Sequence, residues 1–119
     1  LSLAKGTFAH TSSGRQAIEE ATRYATEIPY RTMKTANMAI PLCKKMAEIG
    51  NPNSISDAGV GAICCLTAIK GAYLNVLINV AGLKDKSWAD NILSDASYLL
   101  QTAQNEVEAI YDFVLDKIK

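Results

Sequence analysis

The stretch that decides the fold runs from Ser56 to Leu83 and reads SDAGVGAICCLTAIKGAYLNVLINVAGL. Apolar and small residues recur along it at intervals of three and four, which is the period of an α-helix rather than of a strand. Its glycines and alanines lower helix propensity, and close packing on another helix offsets that loss because small side chains let two backbones approach. The stretch therefore predicts a central, closely packed helix.

The same stretch raises a membrane-spanning alternative because few of its residues are charged. A crossing needs about 20 apolar residues, whereas the uncharged run from Ala58 to Ile69 has only twelve. Lys70 then interrupts it, where a central charge costs roughly 2.5–3.5 kcal/mol on insertion scales. We prefer a buried core helix with no membrane partner. Lys70 then either extends to the bundle surface or meets a carboxylate near an active site.

Upstream, after a loose segment from Leu1 to His10, the sequence predicts two helices. The first begins at a cap among Thr11 to Ser13 and ends or kinks at Pro29, and the second runs from Pro29 to Ile49 with a bend at Pro41. Their apolar stripes are Ala17, Ile18, Ala21, Ala25 and Ile28 in the first, and Met33, Ala36, Ile40, Cys43 and Ala47 in the second.

Downstream, a fourth helix is predicted from a cap at Asp85 to Ile118, about 50 Å long at 1.5 Å per residue. Its apolar face comprises Ile92, Ala96, Leu99, Leu100, Ala103, Val107, Ile110 and Val114. Residues 1–119 are thus expected to form one all-α domain, an antiparallel up-down bundle of about four helices. The length of the last helix indicates an interface with another chain.

The loop before the central helix, from Gly50 to Gly59, reads GNPNSISDAG. Gly50 can end the preceding helix and Pro52 forbids its continuation, while Ser54 and Asp57 have the spacing of a capping box. Asp57 in the first turn also meets the positive end of the helix dipole. A solvated cap is therefore one interpretation of Asp57 and a functional carboxylate is the other.

Composition excludes several classes of function. Twelve basic and twelve acidic residues cancel, and no basic cluster exceeds the pair Lys44-Lys45, which argues against a nucleic-acid partner. The three cysteines have no CxxC spacing and His10 is the single histidine, so we expect no metal site. Buried, reduced thiols in a cytoplasmic protein are the preferred interpretation of the cysteines.

Two carboxamides on the central helix are the most informative polar pair. Asn75 and Asn79 lie one turn apart, and each can donate and accept hydrogen bonds to an amide-bearing heterocycle or, alternatively, to neighbouring helices. Asp57 shares their face but lies about 27 Å away along the helix axis. A single site containing both ends therefore needs a long substrate or a second subunit.

Three segments together carry a family resemblance: AIEEATRYATEIPYRTM (residues 17–33), GNPNSISDAGV (50–60) and GAYLNVLINVAGLKD (71–85). In this combination the chain resembles, from about Lys5 onward, the cyclodeaminase domain of formiminotransferase-cyclodeaminase and its relatives, which include methenyltetrahydrofolate cyclohydrolases. The positions that match the family's motif residues are Asn53, Ser56, Asp57, Asn75 and Asn79.

The resemblance implies an all-helical homodimer or higher homo-oligomer whose substrate is a tetrahydrofolate derivative. The activity it implies is cyclodeamination of 5-formiminotetrahydrofolate to 5,10-methenyltetrahydrofolate with release of ammonia, or hydrolysis of the methenyl form. Asp57 would be catalytic, while Asn53, Ser56, Asn75 and Asn79 would bind substrate. A non-catalytic helical interaction module that reuses the fold is the alternative from another class.

One departure from the family pattern concerns the N-terminal part. Family members are longer and begin with helices and a glycine-rich PxPGGGS-like segment, which this sequence lacks. The chain therefore resembles the C-terminal part of such a domain. Missing N-terminal helices, a partner chain or a formiminotransferase domain are the expected companions.

Overall fold

A computed structural model describes residues 10–119, which form three long helices joined by short connections. Helix α1 spans Ser12–Ile49, a 3-10 turn spans Pro52–Ser54, helix α2 spans Ile55–Val80 and helix α3 spans Lys86–Ile118. No strand occurs among these residues, so the all-α class is confirmed. The predicted loose segment before His10 lies outside the described residues.

The prediction of about four helices is wrong, because α1 continues through Pro29 and so joins the first two predicted helices into one; it also continues through Pro41, as predicted. Proline removes one backbone N–H and leaves the carbonyl four residues earlier without its helical partner. At Pro29 that carbonyl belongs to Ala25, and the side chain of Asn79 on α2 donates to it at 3.1 Å. A hydrogen bond from another helix thus replaces the one whose loss predicted a break.

Three of the four capping residues or helix-ending residues predicted from local sequence act as predicted. Thr11 Oγ1 accepts from the Gly14 N–H at 2.8 Å, and an Asp85 carboxylate oxygen accepts from the Trp88 N–H at 3.1 Å. Gly50 ends α1 in extended backbone, where an added Cβ would collide with the Met46 carbonyl oxygen. These three predictions are confirmed.

The capping box predicted for Ser54 and Asp57 is wrong. Ser54 occupies the cap position of α2 but its side chain makes no capping bond. The 3-10 turn runs directly into α2 instead, with the Ser54 N–H donating to the Asn51 carbonyl at 2.8 Å and the Asn53 N–H to Asn51 Oδ1 at 2.9 Å. Asn51, rather than Ser54, therefore organises this helix start.

The core lies where all three helices meet. Fully or nearly fully buried apolar side chains come from the predicted stripes of residues 33–47 and 92–114 and from α2; they include Met33, Ile40, Ala47, Ala62, Ile69, Val76, Ala96, Ala103, Val107 and Val114. Small residues allow the expected close approach, since a Cβ at Gly59 would lie 3.2 Å from Val114 Cγ1 and one at Gly61 would lie 3.2 Å from Cys43 Sγ.

The predicted stripe of residues 17–28 is largely not part of this core. Ala17, Ala21 and Ile28 are exposed, whereas Thr22 and Thr26 are buried. Each threonine hydroxyl donates to the carbonyl four residues earlier at 2.7 Å, which satisfies it inside the bundle. An apolar face of α1 is consequently left uncovered.

Helix α2 is also uncovered on one side. With the turn before it, over Pro52–Val80, it is the one helix among the described residues long and apolar enough to cross a membrane, a test that the mostly buried core helices of soluble proteins also pass. Only 22% of its most apolar window is buried by the rest of the chain. We name as the outer stripe of α2 its exposed residues Val60, Ile63, Thr67, Gly71, Leu74 and Ile78. Four of its six residues have large apolar side chains, and a Cβ at Gly71 would meet nothing within 4 Å.

Candidate functional site

A groove of about 640 Å³ runs between α1 and α2 around Pro29. Its walls are mainly apolar, with carboxamide and hydroxyl groups at a few points; the lining residues are Tyr24, Ala25, Ile28, Pro29, Thr32, Ala68, Ala72, Asn75 and Asn79. An apolar cleft with a small number of placed polar groups is the usual form of a small-molecule site. Both predicted carboxamides therefore lie in one groove.

Asn79 is held by two hydrogen bonds to backbone. Its Nδ2 donates to the Ala25 carbonyl at 3.1 Å and to the Asn75 carbonyl at 2.9 Å. Because two carbonyl oxygens surround this atom, it must be the amide nitrogen, and both of its hydrogens are engaged. The interpretation of Asn79 as a bond between helices is confirmed, and its Oδ1 can act only as an acceptor.

Asn75 differs from Asn79 although the two lie one turn apart. It is exposed, and within residues 10–119 its carboxamide makes no side-chain hydrogen bond. Both its donor and its acceptor are therefore directed to solvent or a ligand. The structure leaves Asn75 as the carboxamide with full hydrogen-bonding capacity in the groove.

The other three predicted site residues lie at the opposite end of α2. Asn53, Ser56 and Asp57 are all exposed, and Asp57 stands in the first turn of the helix. Ser56 lines a separate hollow of about 190 Å³ between the start of α2 and the end of α3. Asp57 lines neither this hollow nor the groove.

The structure agrees with the predicted separation of Asp57 and Asn75 along the axis of α2. Since α2 is continuous from Ile55 to Val80, Asp57 and Asn75 are separated by eighteen residues, about 27 Å along the axis. Within one chain the structure brings Asn75 and Asn79 together and keeps Asp57, Ser56 and Asn53 apart from them. The assigned roles of all five remain predictions.

A polar clamp next to the groove was not predicted. The Glu19 carboxylate accepts from the backbone N–H groups of Lys84 and Asp85, with oxygen distances of 2.9 and 3.2 Å to the first and 2.9 Å to the second. These two backbone bonds hold the pKa of Glu19 below its usual range. Glu19 thus fastens the start of α1 to the turn between α2 and α3.

Arg23 and Trp88 complete this clamp. Arg23 Nη2 lies 2.6 Å from Asp85 Oδ2, and its guanidinium carbon lies 5.4 Å from the centre of the Trp88 ring. Asp85 therefore caps α3 and pairs with α1 at once. Contacts between residues more than sixty positions apart carry no periodic signal, which is why the sequence did not reveal them.

The thiols and Lys70 have simpler surroundings. Cys43 and Cys65 are half-buried on facing helices, and burial, followed by the nearby Cys43, raises the pKa of the Cys65 thiol. No group of three His, Cys, Asp or Glu side chains that could hold a metal occurs among residues 10–119. Lys70 is exposed, as the first of its two interpretations predicts.

Comparison with known proteins places this geometry in a family. The family model described as Formiminotransferase-cyclodeaminase matches residues 1–98. The chain belongs to the formiminotransferase-cyclodeaminase family. The resemblance carried by the three quoted segments is thereby confirmed.

Individual relatives of this formiminotransferase-cyclodeaminase family member carry two names. The methenyltetrahydrofolate cyclohydrolase of Methylorubrum extorquens is 34% identical over 116 residues, which cover 98% of this chain and 56% of that protein. The formimidoyltransferase-cyclodeaminase of Dictyostelium discoideum is 34% identical over 101 residues, 85% of this chain and 19% of that protein. The protein of that name from Rattus norvegicus is 31% identical over 94 residues, 79% and 17% respectively. The chain thus spans about half of the first relative and under a fifth of the other two.

Proposed function

We propose that the chain is part of a folate one-carbon enzyme that converts 5-formiminotetrahydrofolate to 5,10-methenyltetrahydrofolate. In this reaction N10 attacks the formimino carbon and loses its proton, while the imino nitrogen takes up two protons. The bond from that carbon to this nitrogen then breaks, ammonia leaves and the methenyl cation remains. The folate supplies the reacting atoms, so the protein has to hold N5 and N10 together and move protons. No metal is required for these steps.

The observation that carries the proposal is the groove around Pro29. Its apolar walls suit a flat heterocycle, and Asn75 presents a free donor beside a free acceptor, as an amide edge of a pterin requires. Family membership supports the choice of a folate over other flat ligands.

We propose that the three helices form an up-down arrangement within a larger antiparallel bundle. Residue pairs in contact support opposite directions: Ala25 with Asn79 and Cys43 with Gly61 between α1 and α2, and Gly59 with Val114 between α2 and α3. The uncovered faces of α1 and α2 would pack on N-terminal helices or on a partner chain. A formiminotransferase domain is a further companion that the names of the relatives suggest.

We also propose that two copies pair through the outer stripe of α2. A twofold axis near Leu66 would make two α2 helices antiparallel and place Asp57 of one copy level with Asn75 of the other. Gly71 and Thr67 near the centre would permit close approach, and the flanking apolar residues would be buried. This arrangement would resolve the separation of about 27 Å within one chain. We assign the assembly to the cytoplasm.

Asp57 is the proposed proton carrier in that assembly. Its exposure within one chain leaves it free to face a substrate that a second copy holds. A positioned carboxylate can protonate the departing amine and offset the positive charge of the amidinium-like centre. Asn53 and Ser56, on the same end of α2, would contact the part of the folate nearest Asp57.

Hydrolysis of 5,10-methenyltetrahydrofolate is the second candidate function. Its support is the relative named methenyltetrahydrofolate cyclohydrolase, which aligns with 98% of this chain, more than the 85% covered by the Dictyostelium protein. In this reaction water adds to the methenyl carbon, the ring opens to the formyl form and a proton is released. The same groove and the same carboxylate would serve both reactions.

One assay separates these candidates. The intact protein is supplied with 5-formiminotetrahydrofolate or with 5,10-methenyltetrahydrofolate while the methenyl absorbance is followed. A rise with the first substrate, accompanied by ammonia, supports cyclodeamination, and a protein-dependent fall with the second supports hydrolysis. No turnover of either and no saturable folate binding would contradict both, and would favour an interaction module.

A further inference from the structure

The hydrogen bond from Asn79 to Ala25 stands where α1 lacks one of its own. In a regular helix the N–H of residue 29 donates to the carbonyl of residue 25, and Pro29 has no N–H to donate. Asn79 Nδ2 reaches that carbonyl from α2 at 3.1 Å. Ala25 is half-buried in the groove wall, so water does not fully replace the missing donor.

We propose that Asn79 is a positioning residue that supplies the hydrogen bond Pro29 cannot make, and that Asn75 is the groove carboxamide that donates hydrogen bonds to the ligand. The division follows from donors: Asn79 has committed both N–H groups to the Ala25 and Asn75 carbonyls, whereas Asn75 has committed none within the described residues. The part that concerns ligand rests on the proposed function, and the part that concerns Pro29 does not.

The pairing also fixes the shape of the groove. Pro29 and Asn79 lie on opposite walls, and the bond between their helices sets how closely α1 approaches α2 at this point. Its second bond, to the Asn75 carbonyl, fixes the orientation of the Asn79 side chain on α2. Loss of Asn79 would leave the Ala25 carbonyl unpaired and let the groove relax. The effect on ligand would then be indirect.

A double-mutant cycle on the intact protein tests the positioning role without any ligand. Asn79→Ala, Pro29→Ala and the double variant are compared with the parent by denaturant unfolding. Pro29→Ala restores the backbone N–H, so Asn79→Ala should raise the unfolding constant about tenfold in the parent and about threefold or less in the Pro29→Ala background. Equal effects in both backgrounds, or a double variant no more stable than Asn79→Ala alone, would overturn the proposal.

Pro41 provides the matched control. It lies inside the same helix, twelve residues from Pro29, and Asn79 makes no bond near it. The effects of Pro41→Ala and Asn79→Ala should therefore add. Coupling as strong with Pro41 as with Pro29 would show a general response of the helix to proline removal and would overturn the specific pairing.

Ligand binding tests the division between the two carboxamides, with 5-formyltetrahydrofolate as the probe. Asn75→Ala should weaken binding about tenfold in every background, while the loss caused by Asn79→Ala should largely disappear when it is combined with Pro29→Ala. A loss that persists in that double variant would mean that Asn79 contacts the ligand directly, against the proposal. Coupling in stability without any folate binding by the parent would sustain the role of Asn79 toward Pro29 and contradict the proposed function instead.

Discussion

The two ends of α2 carry similar polar residues but are built differently. At the end near Val80, Asn79, Glu19 and Asp85 bond across helices, and both walls of an open groove come from one chain. At the end near Ile55, Asn53, Ser56 and Asp57 are exposed, and the hydrogen bonds of the turn before the helix are local ones made through Asn51. The polar residues near Val80 are therefore fixed by contacts within the chain. A site at the end near Ile55 would need contacts from another chain or segment.

This difference assigns different kinds of effect to the two ends. Near Val80, changes to the side chains that join helices should alter stability, since they remove those bonds. Changes near Asp57 should alter stability little and should mainly alter a function that depends on another chain or segment. Single substitutions at each end of α2 therefore test whether the two ends differ in this way.

The largest expected effect is a loss of turnover when Asp57, at the start of α2, is changed. Asp57→Asn should lower turnover of 5-formiminotetrahydrofolate about 10²–10⁴-fold, because a positioned proton carrier contributes about that much. Its free energy of unfolding should fall by at most about 0.3–1 kcal/mol, because Asp57 is exposed and its one expected stabilising interaction is with the positive end of the α2 dipole. Rates from methenyl absorbance measure the effect, and Asp90→Asn, an exposed acid on α3, is the control. Unchanged turnover would remove Asp57 from the mechanism.

A smaller effect is expected from the free carboxamide of the groove. Asn75→Ala should weaken folate binding by about 1–2 kcal/mol, as loss of paired ligand hydrogen bonds does. Because its side chain joins no helices within the described residues, the unfolding midpoint should not move. Titration calorimetry and thermal unfolding on the same sample measure both. A marked loss of stability with unchanged affinity would reverse our assignment of this residue.

The smallest expected effect is a loss of stability when Glu19, which bonds to the turn after Val80, is changed. Glu19→Gln should lower the free energy of unfolding by about 1 kcal/mol, because a charged acceptor of two backbone N–H groups becomes neutral and the site is partly exposed to solvent. Glu20→Gln, at an exposed neighbouring position, is the control. Denaturant unfolding at neutral pH measures the difference.

The pH dependence of that effect has a definite sign. The pKa of Glu19 is lowered in the folded state from an ordinary value of 4.5. Its contribution is therefore fully present above that ordinary value and is lost as pH falls through the lower, folded pKa. The difference between parent and Glu19→Gln should shrink on acidification below 4.5, and a difference that grows there would contradict the role of the carboxylate.

Local patterns predicted much of the fold because their signals lie close together in sequence. The stripe of Met33, Ile40 and Ala47 forms core, and the caps at Thr11 and Asp85 form as predicted. The continuity of α1 could not be predicted, because the donor that compensates for Pro29 comes from a residue fifty-four positions away from its acceptor. Periodicity also failed for residues 17–28, since an apolar stripe does not say whether this chain or another surface covers it.

The candidate site was likewise predictable where it depends on helical spacing and not where it depends on contacts between helices. Asn75 and Asn79 could be placed on one face by helical spacing, and the structure puts both in the groove. Spacing could not separate their roles, since only the position of the Ala25 carbonyl reveals that Asn79 has no free donor. Glu19 and Arg23 gave no signal because their partners near Asp85 are distant in sequence.

Complementation between two impaired variants tests the central claim, that one site joins the Asp57 end of one copy to the Asn75 end of another. Asp57→Asn and Asn75→Ala proteins are prepared separately, refolded together in equal amounts and assayed at a folate concentration well below the parental KM, where Asn75→Ala should retain about a tenth of parental turnover and Asp57→Asn about a hundredth or less. A shared site predicts recovery of about a quarter of parental activity, because half of the dimers are hybrids and each hybrid has one site with both residues intact. Activity no higher than the mean of the two separate variants would contradict a site built from two copies.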